Sequence, residues 1–195
     1  MSRIRYIFAV LTVVGVPPAF AWWFVVHPFI RFWRRVGVRA TFVVMTLLML
    51  GWLVGLFRIR AGLVGADLGT HWGLVGVAVV LVIGSSWIAL KRRKYLTVRT
   101  LAGVPELQRD GRGGALLTEG PYRLIRHPRY VEVALGTLAY AAFANYAGAW
   151  IVALATIPLL HVVVVLEERE LAQRFGEEYE EYRARVPRYV PRWRR

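Results

Sequence analysis

The feature that most constrains this chain is a nearly unbroken apolar stretch of 36 residues, 131–166. A helix covers the hydrocarbon core of a bilayer with roughly 20 residues, so the stretch is too long for one crossing. It suffices for two only if it doubles back tightly, and Asn145, Tyr146, Ala147 and Gly148 near its middle mark the turn. Three shorter apolar runs precede it, at residues 4–26, 36–57 and 72–90. The expected fold class is therefore all-α: a polytopic membrane helical bundle of about five transmembrane helices, or four plus a shallow hairpin. Pro17-Pro18 should kink the first helix, and Arg39 near the start of the second can snorkel to the interface. No A-x-A cleavage site follows the first run, which reads as a retained helix and not a signal peptide.

The 195 residues are 57% hydrophobic yet carry a formal charge of +14, and they include no cysteine. That combination excludes a disordered chain, a disulfide-stapled scaffold and a zinc–cysteine domain. A nucleic-acid-binding domain is equally disfavoured, since it would carry its charge on a polar surface. Twenty-two of the 26 Lys and Arg residues fall in alternate connections, leaving Arg3, Arg5, Arg58 and Arg60 for the other side. The positive-inside rule then predicts an integral protein of the cell's inner or plasma membrane, with its N-terminus outside. The 91–130 loop and the C-terminal tail would be cytoplasmic. Eleven of the twelve acidic residues also lie after residue 105. We expect one membrane domain over residues 1–195, with three anchor spans up to residue 90 and the chemistry beyond it.

Two stretches hold residues suited to chemistry. The first is Gly120-Pro121-Tyr122-Arg123-Leu124-Ile125-Arg126-His127-Pro128-Arg129-Tyr130, which leads into an apolar helix. Pro128 suits the first helical position, where a missing N–H has no intrahelical partner to lose. The helix start, with Arg126, His127 and Arg129 beside it, can seat a carboxylate or phosphate; alternatively the arginines meet lipid headgroups and His127 only caps the helix. The second stretch opens with Glu167-Glu168 directly after the last apolar run. Carboxylates at that depth are costly and normally paired, which singles out Glu167, whereas Glu168 reads as solvated and paired along its own helix. Leu171, Phe175, Tyr179, Tyr182 and Val186 recur at helical spacing, a stripe fitting an interfacial helix. His161, inside the last span, reads as a hydrogen-bonding partner of a neighbouring helix. No His/carboxylate spacing suggests a metal site, and no Walker loop, G-x-G-x-x-G or G-x-S-x-G occurs.

Taken together, Gly-Pro-Tyr, four residues, His-Pro-x-Tyr, an apolar hairpin, and Glu-Glu-x-x-Leu-x-x-x-Phe-Gly-x-x-Tyr-x-x-Tyr-x-x-x-Val-Pro resemble the isoprenylcysteine carboxyl methyltransferase family. The phospholipid N-methyltransferases share that C-terminal core. The resemblance covers about residues 115–191 and implies S-adenosylmethionine as methyl donor, held in a cytosol-facing pocket. By position, it implies cofactor contacts at Gly114, Ala115, Leu116, Leu117, Tyr122, His127, Pro128, Arg129, Tyr130 and Glu167. It further implies a lipid or isoprenoid acceptor entering from the bilayer, with carboxyl O-methylation favoured. Two positions depart from the family pattern. Glu132 stands where a glycine is common, and Val163 replaces the arginine that binds the acceptor carboxylate. Arg123 or Arg185 could replace that arginine, and His161 is a further catalytic candidate. Phospholipid N-methylation, an NADPH-dependent reductase on the same core, and a non-enzymatic lipid-binding protein are the alternatives. No nucleic-acid partner is expected.

Overall fold

The computed structural model describes residues 1–26, 28–95 and 115–192. Helix α1 (Ser2–Val10) passes through a π-helical turn (Leu11–Gly15) into α2 (Val16–Val26). The expected kink therefore lies just ahead of Pro17-Pro18. Each proline ring would crowd the carbonyl four residues back, at Val13 and Val14, and the widened π turn is where that crowding is relieved. A short α3 (Ile30–Val36) leads through Gly37, at φ 90°, into α4 (Val38–Arg58). Next come a one-turn α5 (Arg60–Val64) and α6 (Trp72–Arg92). After the intervening loop, a 3₁₀ turn (Gly120–Arg123) precedes α7 (Pro128–Ala144), α8 (Ala147–Phe175) and α9 (Glu177–Arg185).

Four helices, among the described residues, are long and apolar enough to cross a membrane: 2–26, α4, α6 and α8. The protein is an integral membrane helical bundle. Helix α7 has 17 residues, or ~26 Å at 1.5 Å per residue, and forms the shorter arm of the expected hairpin. The hairpin turns at Asn145, which takes the left-handed conformation at φ 51°. Its amide donates to the Leu68 and Gly69 carbonyls while its side-chain oxygen accepts from the Trp150 indole.

That end of the bundle is locked by Arg5, only 3% exposed. Its guanidinium pairs with Asp67 and donates to the Ala144 carbonyl (2.9 Å) and to Thr70 (3.2 Å). Asp67 in turn bridges to Tyr146 across the 65–71 loop. Arg5 thus ties the first helix, that loop and the hairpin turn together. Alanines dominate the packing beneath it: Ala9, Ala141, Ala144, Ala149 and Ala153 are buried in one cluster. Small residues let membrane helices approach closely. Gly148 shows how closely, since a Cβ there would run into the Leu63 carbonyl oxygen.

At the opposite end a second cluster, Phe20, Tyr130, Leu160, Val163 and Val164, joins α2, α7 and α8 beneath the polar site. The predicted interfacial stripe does not form one helix. Gly176, at φ 55°, ends α8 and redirects the chain, and Glu177, Glu178 and Glu180 then occupy the first turn of α9, where the helix dipole favours them. Tyr179 and Tyr182 are buried and not interfacial.

Candidate active site

Pro128 begins α7 as expected, with His127 as its N-cap residue. The tail from α9 runs back alongside this start. The Arg126 and His127 amides donate to the Pro187 and Arg188 carbonyls at 2.9 and 3.2 Å. The Tyr182 hydroxyl donates to the Tyr122 carbonyl at 2.7 Å. The 3₁₀ turn, the His-Pro segment and the C-terminal tail are thereby fixed to one another.

The centre of this junction is Glu168, buried at 5% exposure. Arg126 donates to its Oε1 through Nε (3.1 Å) and Nη2 (2.8 Å), and Arg188 donates through Nη2 to Oε2 (2.5 Å). His127 Nε2 lies 3.0 Å from Oε1. A carboxylate paired with two guanidinium groups is ionised and can only accept, so His127 carries its proton on Nε2. The ion pair also holds the Arg188 guanidinium above its ordinary pKa. This corrects the expectation for Glu168. Adjacent glutamates differ by about 100° around a helix, and here it is Glu168 that turns into the protein.

Glu167 is 31% exposed, and its Oε2 is 3.7 Å from His127 Nδ1, beyond hydrogen-bond distance. That oxygen is buried and has no hydrogen-bond partner among the described residues. Fixing the imidazole through Nε2 leaves Nδ1 facing this carboxylate. The structure therefore brings His127, Pro128, Tyr130 and Glu167 to the start of α7. Tyr122 is buried beside them, and its burial pushes the phenol up to about 12. The Arg129 guanidinium lies over the Trp23 ring at 5.7 Å, and Tyr130 meets the same indole edge-on. Leu116 and Leu117 are half-buried and Ala115 is exposed. Gly114 lies outside the described residues.

Arg123 and Arg185 are not part of this junction. Both are exposed and line an outer groove of about 770 Å³ with Thr118 and Arg192. His161 Nδ1 is 2.8 Å from the Tyr189 hydroxyl, so its partner is the returning tail and not a helix. Val163 is 1% exposed within the apolar cluster. Glu132 receives a two-point contact from Arg92 of α6, at 2.8 and 3.1 Å, while Ser85 donates to its carbonyl. Sequence reasoning missed Glu168, Arg188, Tyr189 and Arg92. Only for Arg92 was there a signal, as a cation closing a span opposite a carboxylate opening another.

A helical bundle whose larger buried ionic cluster lies where α7, α8 and the tail converge, opposite the Arg5–Asp67 clasp, is an integral membrane protein. The chain belongs to the phospholipid methyltransferase family, whose model matches residues 73–178. It is 35% identical over 121 residues to the cobalt-zinc-cadmium resistance protein CzcN of Cupriavidus metallidurans, covering 62% of this chain and 48% of that protein. It is 32% identical over 130 residues to methanethiol S-methyltransferase 2 of Bradyrhizobium diazoefficiens, covering 62% and 49% respectively. Against the protein-S-isoprenylcysteine O-methyltransferase of Schizosaccharomyces pombe it is 34% identical over 79 residues, 39% of this chain and 33% of that one. The chain spans about half the length of the first of these relatives. No solved structure gives a significant match.

Proposed function

We propose that this protein is an integral membrane methyltransferase that uses S-adenosylmethionine to methylate a lipid-like or isoprenoid acceptor reaching it from the bilayer. The reading includes a single membrane domain with the α7 start and the tail in the cytoplasm and the N-terminus outside.

The observation that carries it is the Glu167 Oε2 atom, buried beside His127 without a hydrogen-bond partner among the described residues. A buried carboxylate oxygen without a donor is costly, and a bound cation would satisfy it. An aminoacyl ligand fits: its ammonium matches Glu167, and its carboxylate matches the guanidinium of Arg129 and the α7 N-terminus. Tyr122 and Tyr130 offer aromatic faces to a purine ring, and Gly114, Ala115, Leu116 and Leu117 complete the expected wall. When bound, S-adenosylmethionine supplies an electrophilic methyl group on a sulfonium. The chain's own part is to hold that group in line with the acceptor and to exclude water. His127, held by Glu168, closes one side of the site beside Glu167.

The resemblance favours carboxyl O-methylation, in which an acceptor already ionised at neutral pH needs no general base. A second reading, methylation of a neutral nucleophile such as a thiol, is supported by Val163. The position that would carry the carboxylate-binding arginine lies in an apolar cluster. Incubating membranes containing the protein with methyl-labelled donor separates the two: a base-labile product marks an ester, and a base-stable one marks S- or N-methylation. Absence of any labelled product dependent on the protein would refute methyl transfer.

A further inference from the structure

A cavity of about 330 Å³ lies within the helical bundle between the π turn of the first helix, α6 and α7. It is at the lower end of the roughly 300–1,000 Å³ that ligand pockets span. Its origin is legible in the chain. The π turn displaces the first helix where Leu11 and Val16 line the cavity, while Gly136 keeps α7 free of bulk opposite Ser85. At one end are Glu132, Ser85 and Ser86; at the other is Tyr140, ~12 Å away along α7 at 1.5 Å per residue. Val82 and Val133 form apolar walls between. Val82 and Tyr140 are 42% and 38% exposed, so the cavity opens sideways to the acyl chains. The Glu132 end adjoins the proposed donor site, since Glu132 and Arg92 both act electrostatically on Tyr122, and the cavity runs from there along α7 to Gly136 and Tyr140.

Its charge pattern selects the occupant. Among the described residues Glu132 is the one charged residue in the lining; Arg92, spent on both Glu132 oxygens, is not part of the wall. A carboxylate or phosphate head would face the Glu132 oxygens and two serine hydroxyls without a cation. A hydroxyl or thiol head can donate to those same oxygens, and polar groups placed at this depth mark such pathways. We propose that this cavity binds a single-chain amphiphile with a neutral, hydrogen-bond-donating head at Glu132 and its apolar chain directed toward Tyr140. The same chemistry belongs to an acceptor and to a resident lipid.

The probes are diazirine-labelled dodecanol and dodecanoate, cross-linked to the purified full-length protein at neutral pH and mapped by peptide mass spectrometry. Dodecanol should label residues 82–86 and 132–140 at least about fivefold more than dodecanoate, because the site is built against a negative head. Ser86→Phe, on an exposed position, fills the cavity and should abolish that labelling. Glu132→Gln frees Arg92 and should raise dodecanoate labelling. Equal labelling by both probes, labelling indifferent to Ser86→Phe, or label spread evenly over α4 would overturn the proposal. Titration with S-adenosylhomocysteine, run in parallel, tests the donor site alone. Transfer of a methyl group to bound dodecanol would identify the occupant as acceptor, and cavity labelling without transfer would identify it as resident lipid.

Discussion

Glu167 and Glu168 are chemically identical neighbours with opposite work: Glu168 holds the fold together and Glu167 faces the proposed donor. Replacing Glu168 with glutamine keeps its shape and removes its charge. Arg126 and His127, whose side chains are 8% and 4% exposed, then lose their anion in a buried place. Breaking one side of such a cluster costs about 3–5 kcal/mol. Arg188, at 36% exposure, adds little because water screens it. For a chain of this length each kcal/mol moves the unfolding midpoint by roughly 2–4 °C, so Glu168→Gln should lower it by roughly 6–20 °C. Glu167→Gln removes a charge whose buried oxygen accepts no hydrogen bond among the described residues, and its midpoint should move by less than about 2 °C. Its loss appears in donor binding instead. A hydrogen bond to a charged group is worth about 1.5–3 kcal/mol, so affinity for S-adenosylhomocysteine should fall roughly tenfold or more. Thermal unfolding followed by tryptophan fluorescence in detergent, paired with calorimetric titration, reads both quantities. Glu167→Gln unfolding early with Glu168→Gln unfolding normally would refute the assignment.

Three further outcomes follow from the rest of the fold. The Asp67 carboxyl is held below its ordinary value, chiefly by the Arg5 hydrogen bond, so its stabilisation is present above its unfolded pKa near 4 and is lost as pH falls through the lower folded value. Acid unfolding curves should therefore show wild type losing its advantage over Asp67→Asn only below about pH 4. Gly148→Ala should force α5 away from α8 and cost about 1–3 kcal/mol, measurable as a lowered unfolding midpoint with a normal helical spectrum. Arg123→Ala and Arg185→Ala, both on exposed positions, should change acceptor turnover by less than about twofold, since neither reaches the ionic junction.

The parts of this architecture that depend on local chemistry were legible beforehand. Apolar run lengths gave the helices, Asn145 the turn of the hairpin, and Pro128 the start of α7. The parts that depend on distant chain segments meeting were not. Nothing local says that Arg5 is a buried clasp, because its partners lie 62 and more residues away. Glu132 and Arg92 are 40 apart, and which of two adjacent glutamates faces inward depends on the rotation of α8, set by packing around Val163 and Val164. The division of the tyrosine stripe at Gly176 is the intermediate case. The glycine was visible, but the tail that draws Tyr182 onto Tyr122 was not.

The central claim is that the α7 start and Glu167 hold an aminoacyl sulfonium donor. Calorimetric titration of the purified full-length protein with S-adenosylhomocysteine tests it most directly. The account predicts saturable binding in the wild type that is weakened by Glu167→Gln at an unchanged unfolding midpoint. No binding by a folded wild-type protein, or equal affinity in the variant, would contradict it.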